Sequence, residues 1–223
     1  MYNECKTIIK LLSRIEKQCF FLKQIIIVDD NSNDNSLDLV KNYNFINEYK
    51  IIKHKKNMGK GACIKSAQKF IDGKYVIIQD ADLEYDPKDY KKLLEPLISG
   101  KTEVVYGSRV LNKKRYQKNF VSNFRIFANH ALTLLSNIIN NQNLTDAHTC
   151  YKVFNSDLFK KINLEHNDFS FCPEITTKIS KMNKKIIEVP INYVGRTVQD
   201  GKKIRFKDAV IAIFTLIKFR ILS

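Results

Sequence analysis

The sequence predicts an α/β fold: a mostly parallel sheet covered by helices. Short apolar runs alternate with helical patterns from Lys6 to about Gly107, the order in which parallel strands and their crossover helices follow one another. The apolar runs end in polar, mostly acidic residues, and in open α/β sheets ligands bind beyond the carboxyl ends of the strands. No Gly/Ser-rich or Pro-rich linker and no internal repeat divides the 223 residues, of which 44% are hydrophobic, so one domain with a sizeable core is expected.

The elements read in order as a helix to Gln18, a strand Gln24 to Asp29, a helix Ser36 to Tyr43 and a strand Tyr49 to Lys53. A helix Gly61 to Ile71 and a strand Tyr75 to Gln79 follow. Asp86-Pro87 supplies an N-cap and a first-turn proline for a helix Lys88 to Ser99, and a strand Glu103 to Gly107 comes next. The basic stretch Asn112 to Asn119, NKKRYQKN, reads as a solvated surface loop or as a flap over an anionic substrate. Beyond it lie a helical pattern Val121 to Ile139, the segment Asp146 to Phe154, a helix near Pro173 to Met182 and a strand Lys185 to Pro190. The last segment, Phe206 to Leu222, is apolar nearly all round. At roughly 17 residues it sits at the lower limit for a bilayer span, and an interfacial or core-packed helix is expected instead.

Lys and Arg outnumber Asp and Glu by 38 to 23, a formal charge of +15, which favours anionic partners: nucleic acid, phosphorylated small molecules or an anionic membrane surface. Acids at the strand ends argue against nucleic acid, whose grooves are met by basic and aromatic residues. The five cysteines are scattered, without zinc-site spacing, so free thiols in a reducing compartment are expected. The first residues lack the apolar run of a signal peptide.

The strand ends carry the candidate chemistry. IIIVDD runs into Asp29-Asp30-Asn31-Ser32, YVIIQ into Asp80-Ala81-Asp82, and EVVYG into Ser108-Arg109. Asp80, Asp82 and Glu84 alternate, so strand geometry persisting past Gln79 would turn them to one side, as hard oxygen ligands for Mg²⁺ or Mn²⁺. Gly59-Lys60-Gly61 precedes a helix and reads equally as a phosphate-approaching loop or a tight turn; it lacks P-loop spacing. Arg109, Arg125 and Arg196, with Lys202 and Lys203, are candidate phosphate clamps, the arginines foremost because they bind phosphate bidentately.

Taken together, Tyr2-Asn3-Glu4, Val28-Asp29-Asp30-Asn31-Ser32, Asn57-Met58-Gly59-Lys60-Gly61, Asp80-Ala81-Asp82-Leu83-Glu84, Gly107-Ser108-Arg109 and Arg196 with Gly201-Lys202-Lys203-Ile204 resemble the family 2 glycosyltransferases. Within them the resemblance is to the dolichyl-phosphate mannose synthase and polyprenyl-phosphate glycosyltransferase branch. It implies a GT-A fold, a mostly parallel mixed sheet flanked by helices, over residues 1–205, with residues 206–223 as an appended apolar helix, and a metal-dependent, inverting hexosyltransferase. By motif, Tyr2, Glu4, Asp29 or Asp30, Lys60, Asp80, Ala81 and Asp82 would hold the nucleotide sugar. Asp80, Asp82 and Glu84 would hold the metal, with Glu84 standing where the branch commonly has Gln. Arg109 and Arg125 would bind the acceptor phosphate, and Arg196 and Lys203 would close on the donor phosphates. Asp82, Arg109, Arg196 and Glu174 are the implied catalytic residues, Glu174 orienting the acceptor or an Arg. In Asp146-Ala147-His148-Thr149-Cys150-Tyr151-Lys152, residues His148, Thr149 and Cys150 depart from the family's Asp-x-x-Ser-Gly-Phe-Arg.

The resemblance thus implies transfer of mannose or glucose from a GDP-mannose or UDP-glucose type donor to a polyprenyl or dolichyl phosphate, by an enzyme peripheral to the cytoplasmic face of a membrane. The alternative is a saccharide acceptor in polysaccharide assembly. The family's first strand, a short apolar run before Tyr-Asn-Glu, has no counterpart here. The sheet is therefore expected to lack a member between the strands ending at Asp30 and Asp80, in a protein whose natural chain starts earlier.

Overall fold

The computed structural model describes residues 1–18, 22–111, 120–195 and 206–221. In α1 (Ile8–Glu16), Ile8, Leu11, Leu12 and Ile15 recur at helical spacing and bury one face,. Then come β1 (Gln24–Asp29), α2 (Ser36–Lys41), β2 (Glu48–Lys53), α3 (Lys60–Gln68) and β3 (Tyr75–Ile77). A 3₁₀ turn, Pro87–Asp89, begins as expected at Asp86, whose side chain accepts from the Lys88 N–H. It leads into α4 (Tyr90–Ile98) and β4 (Val104–Ser108), followed by α5 (Phe120–Asn140), β5 (Lys152–Asn155), α6 (Ser156–Lys161), α7 (Phe171–Lys181), β6 (Ile186–Pro190) and α8 (Phe206–Ile221).

The strands form two sheets, β1-β2 and β3-β5-β4-β6. β1 and β2 are parallel, as are β4 and β6, but β5 runs antiparallel to both β3 and β4. The sheet is mixed, as the GT-A resemblance implies, with parallel and antiparallel pairings in equal number among the described residues. β5 escaped the sequence reading because it is four residues long and its apolar pair, Val153 and Phe154, lies between Lys152 and Asn155. Lys152 is nonetheless fully buried, its ammonium donating to the Ala147 carbonyl at 2.8 Å and lying 3.5 Å from the centre of the Tyr106 ring.

β4 is buried on both faces, and strand alternation distributes its residues between two cores. Val105 joins Leu11, Leu93 and Val153 on one side, and Val104 and Tyr106 join Phe154, Phe171 and Ile175 on the other. This sandwiching fixes the carboxyl end of β4, and with it the backbone of Arg109.

Between β1 and β3 no strand is paired among the described residues. A cleft of about 730 Å³ lies there, lined by Ile25, Ile26 and Val28 from β1 and by Tyr75, Val76 and Ile77 from β3. The Met1 ammonium donates to the Val28 carbonyl at 2.5 Å, and the Asp30 N–H donates to the Met1 carbonyl at 2.9 Å. These are the two bonds a parallel neighbour makes around Asp29, so Met1 already stands in register with β1, at the mouth of the slot.

An apolar segment of strand length joined ahead of Met1 is expected to enter the slot and raise Tm by about 5 °C or more. An unchanged melting curve would show that the slot does not accept a strand.

Candidate active site

The carboxyl ends of β1, β3 and β4 open on one cleft. Tyr2, Glu4, Asp30, Lys60, Asp80, Ala81, Asp82, Glu84 and Arg109 all line it, joined by His148, Cys150 and Tyr193. The two acids that end the first strand divide their work. Asp29 is fully buried, and its carboxylate accepts from the N–H and hydroxyl of Ser32, closing the turn after β1,. Asp30 faces the cleft and accepts from the backbone N–H groups of Met58 (2.9 Å) and Gly59 (2.7 Å) and from His54 Nδ1 (2.7 Å). Burial alone would raise the Asp30 carboxyl, but these hydrogen bonds prevail and hold it below the ordinary value,.

Asp30 thereby anchors the turn that starts α3. Gly59 has φ +96°, and a Cβ on either Gly59 or Gly61 would press into the backbone of residues 166–167. Close approach to that loop is why both positions take glycine, and the Ala62 N–H bonds the Asn167 carbonyl. The turn aims Lys60 at Asp80, with which it forms a hydrogen-bonded ion pair. Burial opposes both charges, yet the pairing lowers the Asp80 carboxyl and raises the Lys60 ammonium. The Cys150 thiol also bonds Asp80, and burial and that carboxylate push it up to about 12.

β3 ends at Ile77 rather than Gln79, so the strand alternation expected to align Asp80, Asp82 and Glu84 does not extend to them. Asp82 accepts from the Glu84 N–H, and Glu84 accepts from the Tyr193 hydroxyl at 2.9 Å. The one trio among the described residues whose ligand atoms all lie within 4.8 Å is Asp30, His54 and Cys63. There, however, the imidazole is spent on Asp30 and on the Ser66 hydroxyl. Asp80 and Asp82 offer hard oxygen ligands on the same cleft,, with the Lys60 ammonium paired to Asp80.

At the carboxyl end of β4, Arg109 is clamped from behind. Its Nε and Nη2 donate to the two oxygens of Asp146 at 2.7 and 2.8 Å, and its backbone N–H donates to the same carboxylate. Asp146 is fully buried. Asn129 Nδ2 adds a fourth bond, and Glu188 takes the backbone N–H groups of Thr145 and Asp146. Breaking such a buried pair costs about 3–5 kcal/mol, so the guanidinium is fixed. Burial would raise the Asp146 carboxyl, but Arg109 holds it low.

Glu174 takes a different place from the acceptor-side one the resemblance implies. Fully buried, it accepts from the N–H groups of Glu165 and His166 and pairs with Lys178 at 2.8 Å. It shapes the loop against which Gly59 and Gly61 pack. Arg196 and Lys203 lie outside the described residues, as does the side chain of Arg125, and so does the basic stretch 112–119. Asn129, Glu188 and His54 were missed in the sequence because isolated polar residues on helices and strands carry no spacing signal.

A mixed sheet whose carboxyl ends bring acids and a clamped arginine onto one cleft is the setting in which the comparisons fall. The model of the Glycosyl transferase family 2 matches residues 1–163. The chain belongs to this family. A dolichyl-phosphate beta-glucosyltransferase of Trichomonas vaginalis is 29% identical, the match covering 99% of this chain and 71% of the relative. A UDP-N-acetylglucosamine–dolichyl-phosphate N-acetylglucosaminyltransferase of Methanococcus voltae is 28% identical over 92% of this chain and 91% of its own. These similarities lie in the branch that the motifs implied. Among solved structures, glucosyl-3-phosphoglycerate synthase of Mycobacterium tuberculosis with Mn²⁺, UDP and phosphoglyceric acid superposes with a TM-score of 0.73 at 14% identity. That alignment covers 100% of this chain and 77% of the synthase, and the likeness establishes the GT-A fold.

Burial and the charge of Lys152 push the His148 imidazole down to about 4 from 6.5. A lowered imidazole contributes stability that is complete above pH 6.5 and is lost as the pH falls toward 4. Urea unfolding of His148→Gln should therefore lose less free energy across that window than the parent chain; equal losses would remove His148 from the acid response.

Proposed function

We propose that this family member is an inverting hexosyltransferase that moves glucose or mannose from a nucleoside diphosphate sugar of the UDP-glucose or GDP-mannose type to a polyprenyl or dolichyl phosphate. One observation carries the reading: the Asp80/Asp82 wall and the Arg109 guanidinium face one cleft. The donor's diphosphate needs a cation on the first wall, and an acceptor phosphate needs a fixed cation on the second. The relatives named for dolichyl phosphate support the acceptor class, and the UDP-N-acetylglucosamine in one of those names supports a UDP-linked donor.

In this reading Asp30 and Tyr2 meet the nucleoside, while Asp80 and Asp82 hold Mg²⁺ or Mn²⁺. The cation would neutralise the charge that develops on the departing diphosphate. Lys60 lies against Asp80 and reaches the phosphates when that pair loosens. By motif, Arg125 joins Arg109 on the acceptor phosphate, and Arg196 and Lys203 close on the donor. Arg109, held by Asp146, orients the acceptor phosphate so that its oxygen attacks the anomeric carbon from the face opposite the leaving group, and water is excluded as the cleft fills. A phosphate oxygen is anionic at neutral pH and needs no strong base. A lipid acceptor places the enzyme at a membrane, peripherally and on the cytoplasmic face, where nucleotide sugars are met.

The test supplies labelled UDP-glucose and GDP-mannose with Mn²⁺ and separates lipid-soluble from water-soluble products. Label is expected in the lipid fraction with polyprenyl phosphate, and Asp82→Ala is expected to reduce it at least a hundredfold. Transfer only to free saccharides would reject the acceptor, and undiminished turnover by Asp82→Ala would reject the metal role.

A further inference from the structure

We propose that the exposed apolar faces of α5 and α8 form one surface that docks on an anionic lipid bilayer. The proposal rests on the lipid-phosphate reading above and names the surface by which the cleft reaches that acceptor. α8 turns Thr215, Leu216 and Phe219 inward, in contact with α5 and α7. It leaves Ile211, Phe214, Ile217 and Ile221 exposed, Phe214 and Ile221 by 68% and 72%. These four recur at three- and four-residue intervals and so form one stripe along the helix. α5, against which α8 packs, exposes Leu134 and Ile138 by 61% and 71%. Single exposed apolar residues are ordinary, but six large ones on two touching helices mark an interaction surface.

Charge selects the occupant. Lys218 and Arg220 stand exposed in the last turn of α8, Lys218 making one long contact with Glu165 at 3.4 Å. The α8 sequence carries a single acid, Asp208, against Lys207, Lys218 and Arg220, in a chain of charge +15. Large apolar residues edged by cations are the pattern of a helix lying in the interface of an anionic membrane. No helix among the described residues is long and apolar enough to cross a membrane, and the 16 residues of α8 rise about 24 Å, short of a hydrocarbon core of about 30 Å.

The surface also lies beside the cleft. Asn129 of α5 bonds the Asp146 carboxylate that holds Arg109. Leu134 and Ile138 follow on the same helix, about 7 and 13 Å further along its axis. A lipid whose phosphate rests on Arg109 would have its hydrocarbon chain within reach of this face.

Flotation of the full chain with vesicles of phosphatidylcholine, alone or mixed with phosphatidylglycerol, tests the proposal. The parent chain is expected to float with the mixed vesicles and to be released by high salt. Phe214→Ser/Ile217→Ser and Leu134→Ser/Ile138→Ser, each shown to be folded by circular dichroism, are expected to bind at least tenfold more weakly. Both variants should transfer sugar normally to a short, water-soluble isoprenyl phosphate, yet poorly to a long-chain one embedded in vesicles. Variants that float like the parent overturn the proposal. So does a parent chain that ignores anionic vesicles, or a stable dimer that the substitutions dissociate, which would make the face a contact between copies. Flotation as expected, with no transfer to any isoprenyl phosphate, would support the docking surface and reject the acceptor class.

Discussion

The buried carboxylate of Asp146 is the interaction on which the Arg109 end of the cleft depends. Four hydrogen bonds converge on it, three from Arg109 and one from Asn129, and Glu188 holds its own backbone N–H. That one group ties β4, α5 and β6 to the segment leading into β5. An uncompensated charge at this depth would cost several kcal/mol, so the arginine and the acid need each other. Their mutual satisfaction leaves a rigid guanidinium at the cleft, where preorganised charge is most effective.

The end of the cleft at Asp30 and Asp80 is built on the same logic. Asp30 spends its oxygens on the backbone of Met58 and Gly59, which sets the turn that carries Lys60. Glu174 supports the loop packed against that turn from the other side. Two carboxylates that do not themselves line the cleft, Glu174 and Asp146, therefore hold residues that do. Between them Lys60 and Asp80 neutralise each other, both keeping some exposure, 15% and 21% of their side chains.

Much of this was legible in the sequence because it rests on local chemistry. β1 was read with its observed bounds, and Asp86-Pro87 announced its cap. The cleft acids stood out as polar residues ending apolar runs. What was not legible depends on partners far apart in the chain. Whether Asp29 or Asp30 faces the cleft is decided by Ser32, His54 and the 58–59 backbone. The glycines were ambiguous until the 166–167 loop lay against them. β5 is antiparallel and short, and the early end of β3 undid an alignment of Asp80, Asp82 and Glu84 that only continued pleating could have produced. Glu174 matched a motif, but its burial against Lys178 is a tertiary fact.

The central claim is that one cleft presents separate sites for two anions, with Asp146 serving the acceptor site alone. Isothermal titration of farnesyl phosphate into the parent chain and into Asp146→Asn, each saturated with UDP and Mn²⁺, tests it most directly. The account predicts that Asp146→Asn weakens farnesyl phosphate binding at least tenfold while leaving UDP affinity within twofold of the parent. Equal farnesyl phosphate affinities, or a matching loss of UDP binding, would contradict it.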